Sequence, residues 1–384
     1  MPPVNQHLGS TTPPPEPSPA LDEADRYSRQ ILFPGIGVDG QRLLAQAHVA
    51  IVGLGATGAA SASLLARAGV GTLTLIDRDF VEFSNLQRQI LFDEADALSS
   101  LPKAEAARRK IHLFNSTVRV HAHTVDLVPA NIHDLLSAAD LILDATDNFE
   151  TRYLINDFAV QQGKPWIYAA AIGAYATTMN ILPRRPGEEV PSPTRAGAPW
   201  QPTACLACLF PKPPTGPVET CDNSGILSTA VNLAASIQVT EALKLLTDQP
   251  HLLRRTLISF NLWDLTSSAA LDRSEISTST PNPACAVCGD RTFAHLAGEG
   301  RPHITLCGRN SVQIHEHSRP VDLRAMHTRL SRQTDIEDLR ANDLLLRFRR
   351  GPLTFTLFND GRALVTGTTD IALARTMYAR FIGS

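Results

Sequence analysis

Two cysteine pairs stand out by their spacing: Cys205-Leu206-Ala207-Cys208 and Cys285-Ala286-Val287-Cys288. Thiolates three positions apart can close on one ion, and two such pairs supply the four sulfurs of a tetrahedral structural zinc site. A closed site of this kind pins chain segments together and carries out no chemistry. A disulfide framework is the alternative. It suits an exported chain, and no basic stretch followed by an apolar run opens this one. Cys221 stands apart, in Glu219-Thr220-Cys221-Asp222-Asn223-Ser224-Gly225, just before an apolar helical pattern read from Gly225 to Leu246. A helix N-terminus favours negative charge and draws a thiol toward the nucleophilic thiolate. The bland reading of Cys221 is a passive thiol near a cap. Cys307, in Leu306-Cys307-Gly308-Arg309-Asn310, is a poor match to a persulfide-carrying loop and reads as a packed thiol. His315-Glu316-His317 alternates along a presumed surface strand and does not form the His-Glu-x-x-His helix of zinc hydrolases.

A second constellation gathers around Gly53-Leu54-Gly55-Ala56-Thr57-Gly58, which follows the apolar run His48-Val49-Ala50-Ile51-Val52. Gly53 permits a tight turn, Gly55 lets phosphate approach the backbone, and Gly58 eases helix packing. Asp77 ends the next apolar run, where a carboxylate can bind a ribose. Dinucleotide dehydrogenases share that arrangement, so these residues alone leave NAD(P) and ATP open. Arg29, Arg88 and Lys103 add cations, which suit a triphosphate losing pyrophosphate as charge builds on its oxygens. Hydride transfer needs no such cluster. Asp147, in Asp144-Ala145-Thr146-Asp147-Asn148, follows another apolar run and is placed to hold Mg²⁺. Its bland reading is a charged strand-to-loop surface.

The elements that must position these residues are legible as patterns. Strands are expected at 48–52, 72–76, 118–123, 141–143, 166–170 and 256–262, with helices at 59–68, 103–114 and 130–138. A strand, glycine turn, helix and strand in succession open a nucleotide-binding α/β fold. The fold class expected is α/β, a Rossmann-like mixed sheet with helices on both faces, a zinc-pinned excursion at 183–217, and a small C-terminal α+β domain. In that last part, strands are expected at 311–317, 344–348, 354–358 and 363–365, helices at 323–330 and 371–381, and a turn at Asn359-Asp360-Gly361. The division reads as a disordered proline-rich tail at 1–22, a nucleotide-binding domain with its zinc site at 23–290, and an accessory domain at 301–384.

A net charge of −3 argues against a nucleic-acid partner, which usually needs a basic footprint. The apolar pattern ending at Leu246 is interrupted by Ser228, Asn232, Gln238, Glu241 and Lys244, so it reads as a buried helix and not a membrane span. A cytoplasmic protein without a membrane partner is expected.

Arg26-Tyr27-Ser28-Arg29-Gln30-Ile31-Leu32, Asn85-Leu86-Gln87-Arg88-Gln89, Pro102-Lys103-Ala104 and Asp144-Ala145-Thr146-Asp147-Asn148, taken in order, resemble the E1-like ThiF/MoeB/HesA family of adenylating enzymes. The resemblance runs from about residue 25 to about residue 290. It implies that Gly53, Gly55 and Gly58 cradle ATP, that Asp77 holds the ribose with Asp79 in the same nucleotide-binding set, and that Asn85, Arg88 and Lys103 contact phosphates. It implies that Asp147 coordinates Mg²⁺, that Arg29 reaches the site of a second subunit in a homodimer, and that Cys221 occupies a reactive-cysteine position. Cys205 to Pro211 resembles the family's Cys-x-x-Cys-Leu-Phe-Pro segment, and the zinc agrees with it. One departure is Gly55-Ala56-Thr57-Gly58, where members usually read Gly-Gly-Leu-Gly; Ala56 keeps its backbone N–H. The activity implied is adenylation of the C-terminal glycine of a small ubiquitin-like sulfur-carrier protein ending in Gly-Gly. Pyrophosphate is released and the carrier is readied for a thiocarboxylate, with a persulfide donor such as a cysteine desulfurase or rhodanese as a further partner. The alternative is activation for conjugation through a Cys221 thioester. Thiamin, molybdopterin and tRNA-thiolation pathways fit the motifs equally. The C-terminal unit is expected to dock the carrier or support a dimer, with ATP binding nearly intact without it.

Overall fold

The computed structural model describes residues 23–185, 200–213, 224–264, 272–298, 306–307, 311–314, 321–342, 345–358, 361 and 363–382. The expected tail at 1–22, Cys221, His315-Glu316-His317 and Asn359-Asp360 lie outside them, as does the side chain of Cys307.

Short helices α1 (Glu23–Arg26) and α2 (Ser28–Ile31) lead into α3 (Gly37–Gln46). The chain then alternates strand and helix: β1 (His48–Val52), α4 (Ala56–Ala68), β2 (Thr72–Ile76), α5 (Glu94–Leu98), α6 (Lys103–Phe114), β3 (Arg119–His123), α7 (Ile132–Leu136), β4 (Leu141–Asp144), α8 (Phe149–Gln162) and β5 (Trp166–Ile172). Next come β6 (Tyr175–Ile181), α9 (Leu206–Leu209), α10 (Ser228–Leu246), β7 (Thr256–Asn261) and β8 (Asp272–Ser277). The eight strands form one sheet in the order β3-β2-β1-β4-β5-β6-β7-β8. Pairing is parallel from β3 through β5 and antiparallel from β5 through β8. This is the mixed α/β sheet that the pattern implied.

Both faces of the parallel half are covered. Val49 and Ile51 of β1 join a core with α4 and α6 residues such as Leu65 and Ile111. Ala50 and Val52 point to the other core, with Ile155 and Phe158 of α8. Strands buried on both faces read as largely apolar or β-branched runs, which is why β1, β2 (with Thr72 and Thr74) and β4 are visible in sequence.

Several elements differ from expectation. Helix α8 gives no amphipathic stripe, because Arg152 through Val160 are all buried, polar Asn156 and Asp157 among them. Strand β6 carries buried Thr178 and Asn180, whose polarity hides it. Strand β8 occupies the start of a Ser/Thr/Pro-rich stretch that reads as irregular. Helix α4 begins at Ala56, so Gly58 lies in its first turn. Helix α10 begins at Ser228, after Gly225 with φ 69°, not at Gly225 itself.

The C-terminal part is β-rich: β9 (Leu306–Cys307), β10 (Ser311–Ile314), β11 (Glu337–Ala341), β12 (Leu345–Arg350), β13 (Leu353–Phe358) and β14 (Ala363–Thr366) form a second sheet ordered β11-β12-β13-β14-β10-β9. Helices α11 (Leu323–Leu330) and α12 (Ile371–Phe381) pack Leu330, Tyr378 and Phe381 against Phe348 and Phe355. Among the described residues no helix is long and apolar enough to cross a membrane.

Candidate functional site

Strand β1 lies between β2 and β4, and its last residue, Val52, is in register with Ile76 and Asp144. The loops leaving these three strands therefore meet at their carboxyl ends, where the strand order changes direction and α/β sheets bind ligands. Gly53 has φ 87°, and a Cβ there would meet Ala145 O at 2.6 Å. A Cβ on Gly58 would meet Gly53 O at 1.9 Å. Both glycines are demanded by the protein's own packing. Gly55 is different, because a Cβ there would meet nothing within 4 Å. It is the N-cap of α4, with no side-chain cap and no acidic residue in the first turn. A helix N-terminus left open in this way suits an anion. Gly58→Ala is thus expected to lower the melting temperature markedly. Gly55→Ala is expected to melt like the wild type and lose nucleotide affinity. Calorimetry and a nucleotide titration read the two effects separately.

Asp77 ties this turn to the next. One carboxylate oxygen accepts from Leu54 N (2.5 Å) and the other from Asp79 N (2.7 Å). Burial raises its pKa above the ordinary carboxylate value, while Lys103 pulls the other way. Lys103 is 3% exposed, its Nζ 3.2 Å from Asp79 Oδ2, and its backbone N–H donates to Asp79 O (2.8 Å). The expected phosphate cation is thus pre-set on a rigid helix start. Asn85 is fully buried, and its Oδ1 accepts from Glu82 N (3.1 Å). Its Nδ2 has no hydrogen-bond partner among the described residues. An unpaired buried donor is costly, and a phosphate oxygen would satisfy it. Arg88 is half-buried and donates to Ser84 O (2.9 Å); Arg29 is exposed.

The loop after β4 is held from inside. Asp144 Oδ1 accepts from Thr146 N (2.9 Å) and Thr146 Oγ1 (2.7 Å), and its Oδ2 lies 3.3 Å from Arg152 Nε. Arg152 also donates to Thr146 O (2.5 Å), and its guanidinium lies 5.0 Å from the Tyr168 ring. Burial pushes the Asp144 carboxyl up, opposed by Arg152. Gln238 of α10 donates to Asp144 O and Ile167 O, 2.8 Å each, and accepts from Ser61 Oγ at 3.0 Å. Asp147 itself is exposed. Sequence reading singled out Asp147 but not Arg152 or Gln238, whose partners are distant in the chain.

The four cysteines of the two pairs come together. Cys205 Sγ lies 3.8 Å from Cys208 Sγ and 3.7 Å from Cys285 Sγ, and Cys208 Sγ lies 3.3 Å from Cys288 Sγ. All four Sγ atoms fall within 4.8 Å of one another. Zinc–sulfur bonds of about 2.3 Å in a tetrahedron need sulfurs about 3.8 Å apart, so the donor set fits a zinc ion. Helix α8 fastens both segments. Asn156 accepts from Leu206 N (2.9 Å) and donates to Cys205 Sγ (3.8 Å), and Tyr153 Oη donates to Phe210 O (2.7 Å). Asp157 Oδ2 accepts from His295 N (2.9 Å) and Leu296 N (3.3 Å).

Burial pushes Asp157 from 3.8 to about 6, against the two amides. A carboxyl with a raised folded pKa binds more protons folded than unfolded between those values. Its contribution is therefore favourable in acid and is lost as pH rises from about 4 to about 6. Relative to Asp157→Asn, the wild type should lose about 3 kcal/mol across that window and nothing more above it. Denaturant melts of both proteins at several pH values check this.

The ThiF family model matches residues 27–287. The chain is 42% identical over 361 residues to the sulfur carrier protein ThiS adenylyltransferase of Bacillus subtilis (strain 168), covering 93% of this chain and 99% of that protein. It is 34% identical over 269 residues to the SAMP-activating enzyme E1 of Haloferax volcanii, covering 70% of this chain and 90% of that one. Among solved structures, E. coli MccB with ATP matches at a TM-score of 0.55 and 23% identity, covering 69% of this chain and 74% of that chain. That last likeness is one of fold.

Proposed function

The chain belongs to the ThiF family, and on that premise we propose that it adenylates the C-terminal glycine of a small ubiquitin-like sulfur-carrier protein, releasing pyrophosphate. The observation that carries this reading is the end-to-end likeness to a sulfur-carrier adenylyltransferase, 99% of whose length is matched. The enzyme is an ATP-dependent adenylyltransferase. Residues 23–290 are taken as the adenylation unit and 301–384 as the accessory unit.

The reaction needs no protein base, because the carrier's terminal carboxylate is already ionised. One of its oxygens attacks the α-phosphorus of ATP. The bond from that phosphorus to the bridging oxygen breaks, and pyrophosphate leaves with the electron pair. The turn at Gly53, Gly55 and Gly58 would receive the phosphates at the α4 N-terminus. Lys103, held against Asp79, and Arg88 would neutralise charge as pyrophosphate departs, while Asn85 Nδ2 would donate to a phosphate oxygen. Asp77 would bind the ribose through lone pairs that its backbone bonds leave open. Mg²⁺ bound at Asp147 would supply charge to the leaving phosphates. Zinc in the four-cysteine site would be structural.

Arg29 would enter the site of a second subunit. Exposed Leu32, Phe33 and Val38 beside it support a homodimer, since clustered apolar residues at a surface mark interfaces. The Cys221 thiolate would attack the activated carbonyl and expel AMP to give a thioester, or the outer sulfur of a persulfide donor would do so to give an acyl disulfide. A second reading, activation for conjugation through a Cys221 thioester, is favoured by the likeness to an E1 enzyme of Haloferax volcanii. Pyrophosphate exchange with Gly-Gly-ending carriers tests the first reading, and its absence with every such carrier of the same cell refutes it. A carrier–enzyme thioester that persists to conjugate other proteins would select the second.

A further inference from the structure

The residues expected to meet phosphate are carried on a segment that the second sheet touches. Phe80 is 6% exposed and forms a small apolar cluster with Leu345 of β12 and Phe358 of β13, separate from the cores of both sheets. Arg347 sits with its guanidinium 5.0 Å from the Phe80 ring and 3.9 Å from Glu82 Oε1. Asn342 Nδ2 donates to Ser99 O at 3.3 Å. A cleft of about 390 Å³ opens beside this junction, with Phe83 and Ser84 on one wall and Arg340 and Arg347 on the other. None of the turn glycines lines it.

Phe80 stands between two parts of the nucleotide site. On one side, Asp79 holds Lys103 through both its carboxylate and its carbonyl. Phe80 bridges to Pro102, and Val81 N donates to Leu101 O (2.8 Å), so the strand-like pairing continues to the residue before Lys103. On the other side, Glu82 and Asn85 cap each other in a reciprocal box around Phe83–Asn85. A side chain that shifts Phe80 would therefore move Lys103 and Asn85 together.

Resting on the reading of this chain as an adenylyltransferase, we propose that the C-terminal sheet is a positioning element of the nucleotide site, acting through Leu345, Phe358 and Arg347 on Phe80 and Glu82. This departs from the sequence expectation of a docking unit whose loss leaves ATP binding nearly intact. The unit is covalently part of the chain, so its contact needs no partner, and it fixes a segment that has no regular helix or strand between β2 and α5 beyond the single turn at Phe83–Asn85. Fixing that segment before ATP arrives lowers the ordering cost of binding.

The test compares Leu345→Ala with Leu345→Met in the full-length enzyme. ATP affinity is measured by calorimetry without carrier, alongside KM for ATP, KM for carrier and the melting temperature. Leu345→Ala should raise the ATP Kd and KM roughly three- to thirty-fold, with the KM for carrier unchanged. Leu345→Met, which keeps the volume, should restore both. Should Leu345→Ala fail to fold, Arg347→Ala, on a half-exposed side chain, is read in the same way. An unchanged ATP Kd together with a raised carrier KM would overturn the proposal in favour of carrier docking. An unchanged ATP Kd with no change elsewhere would overturn it as well. Because the ATP titration contains no carrier, failure of the carrier reading leaves this comparison intact.

Discussion

Asp147→Asn is expected to keep the wild-type melting temperature and to lose roughly 10²- to 10³-fold in pyrophosphate exchange. The fold places few demands on this carboxylate. The loop that carries it is shaped by Asp144, which accepts two bonds from Thr146, and by Arg152, which donates to Thr146 O. Asn148, the next residue, caps α8 by accepting from Thr151 N at 2.8 Å. Asp147 stands between these fixed points, exposed, and asparagine has nearly its volume. Surface changes of this kind usually alter stability by about 0.5 kcal/mol or less. What the substitution removes is negative charge, the property that a hard cation requires of its ligand. The loss should be largest at limiting Mg²⁺ and partly recovered at high Mg²⁺, because a weakened site can be filled by mass action. Unchanged exchange at limiting Mg²⁺ would remove Asp147 from the site. Arg152→Leu should behave differently, lowering stability and activity together, since it leaves Asp144 buried without its cation.

Which parts of this were legible in the sequence follows from what surrounds each residue. Parallel strands buried on both sides are built mainly from apolar and β-branched residues, so β1, β2 and β4 announce themselves, and their ends locate Gly53, Asp77 and Asp147. Four cysteines in two close pairs can be read without any structure, since few other arrangements use that spacing. Helix α8 is invisible for the opposite reason. It is buried all round, and its polar residues are satisfied by distant segments, Asn156 by Leu206 and Asp157 by His295. Arg152 is the one cation within α8, and nothing local to it points to Asp144, its partner at the end of β4. The contact of Phe80 with Leu345 and Phe358 joins positions far apart in the chain and leaves no local pattern at all.

Cys208→Ala should lose bound zinc and the order of the segments around it before it loses any chemistry. Its Sγ is 3.3 Å from Cys288 Sγ and 3.8 Å from Cys205 Sγ, and it also accepts from Asn282 N at 3.4 Å. Beyond the thiols, the two turns share a fastening to α8, and a flanking bond runs from Ala204 N to Thr278 O at 2.8 Å. Structural zinc in small domains contributes roughly 10–16 kcal/mol of apparent binding energy, which is folding energy there. In a chain with a large sheet core, only the part of that energy that orders the two turns is at stake. The expected result is a purified variant with little zinc, a lowered melting temperature and protease cleavage near residues 205–213 and 282–298. ATP affinity should fall less, because the glycine turn, Asp77 and Lys103 are tied to β1, β2 and α6 and not to the cysteines. Chelation of the wild type should reproduce the same cleavage pattern. A Cys208→Ala protein with a full complement of zinc and a wild-type melting curve would show that these four thiols do not share an ion.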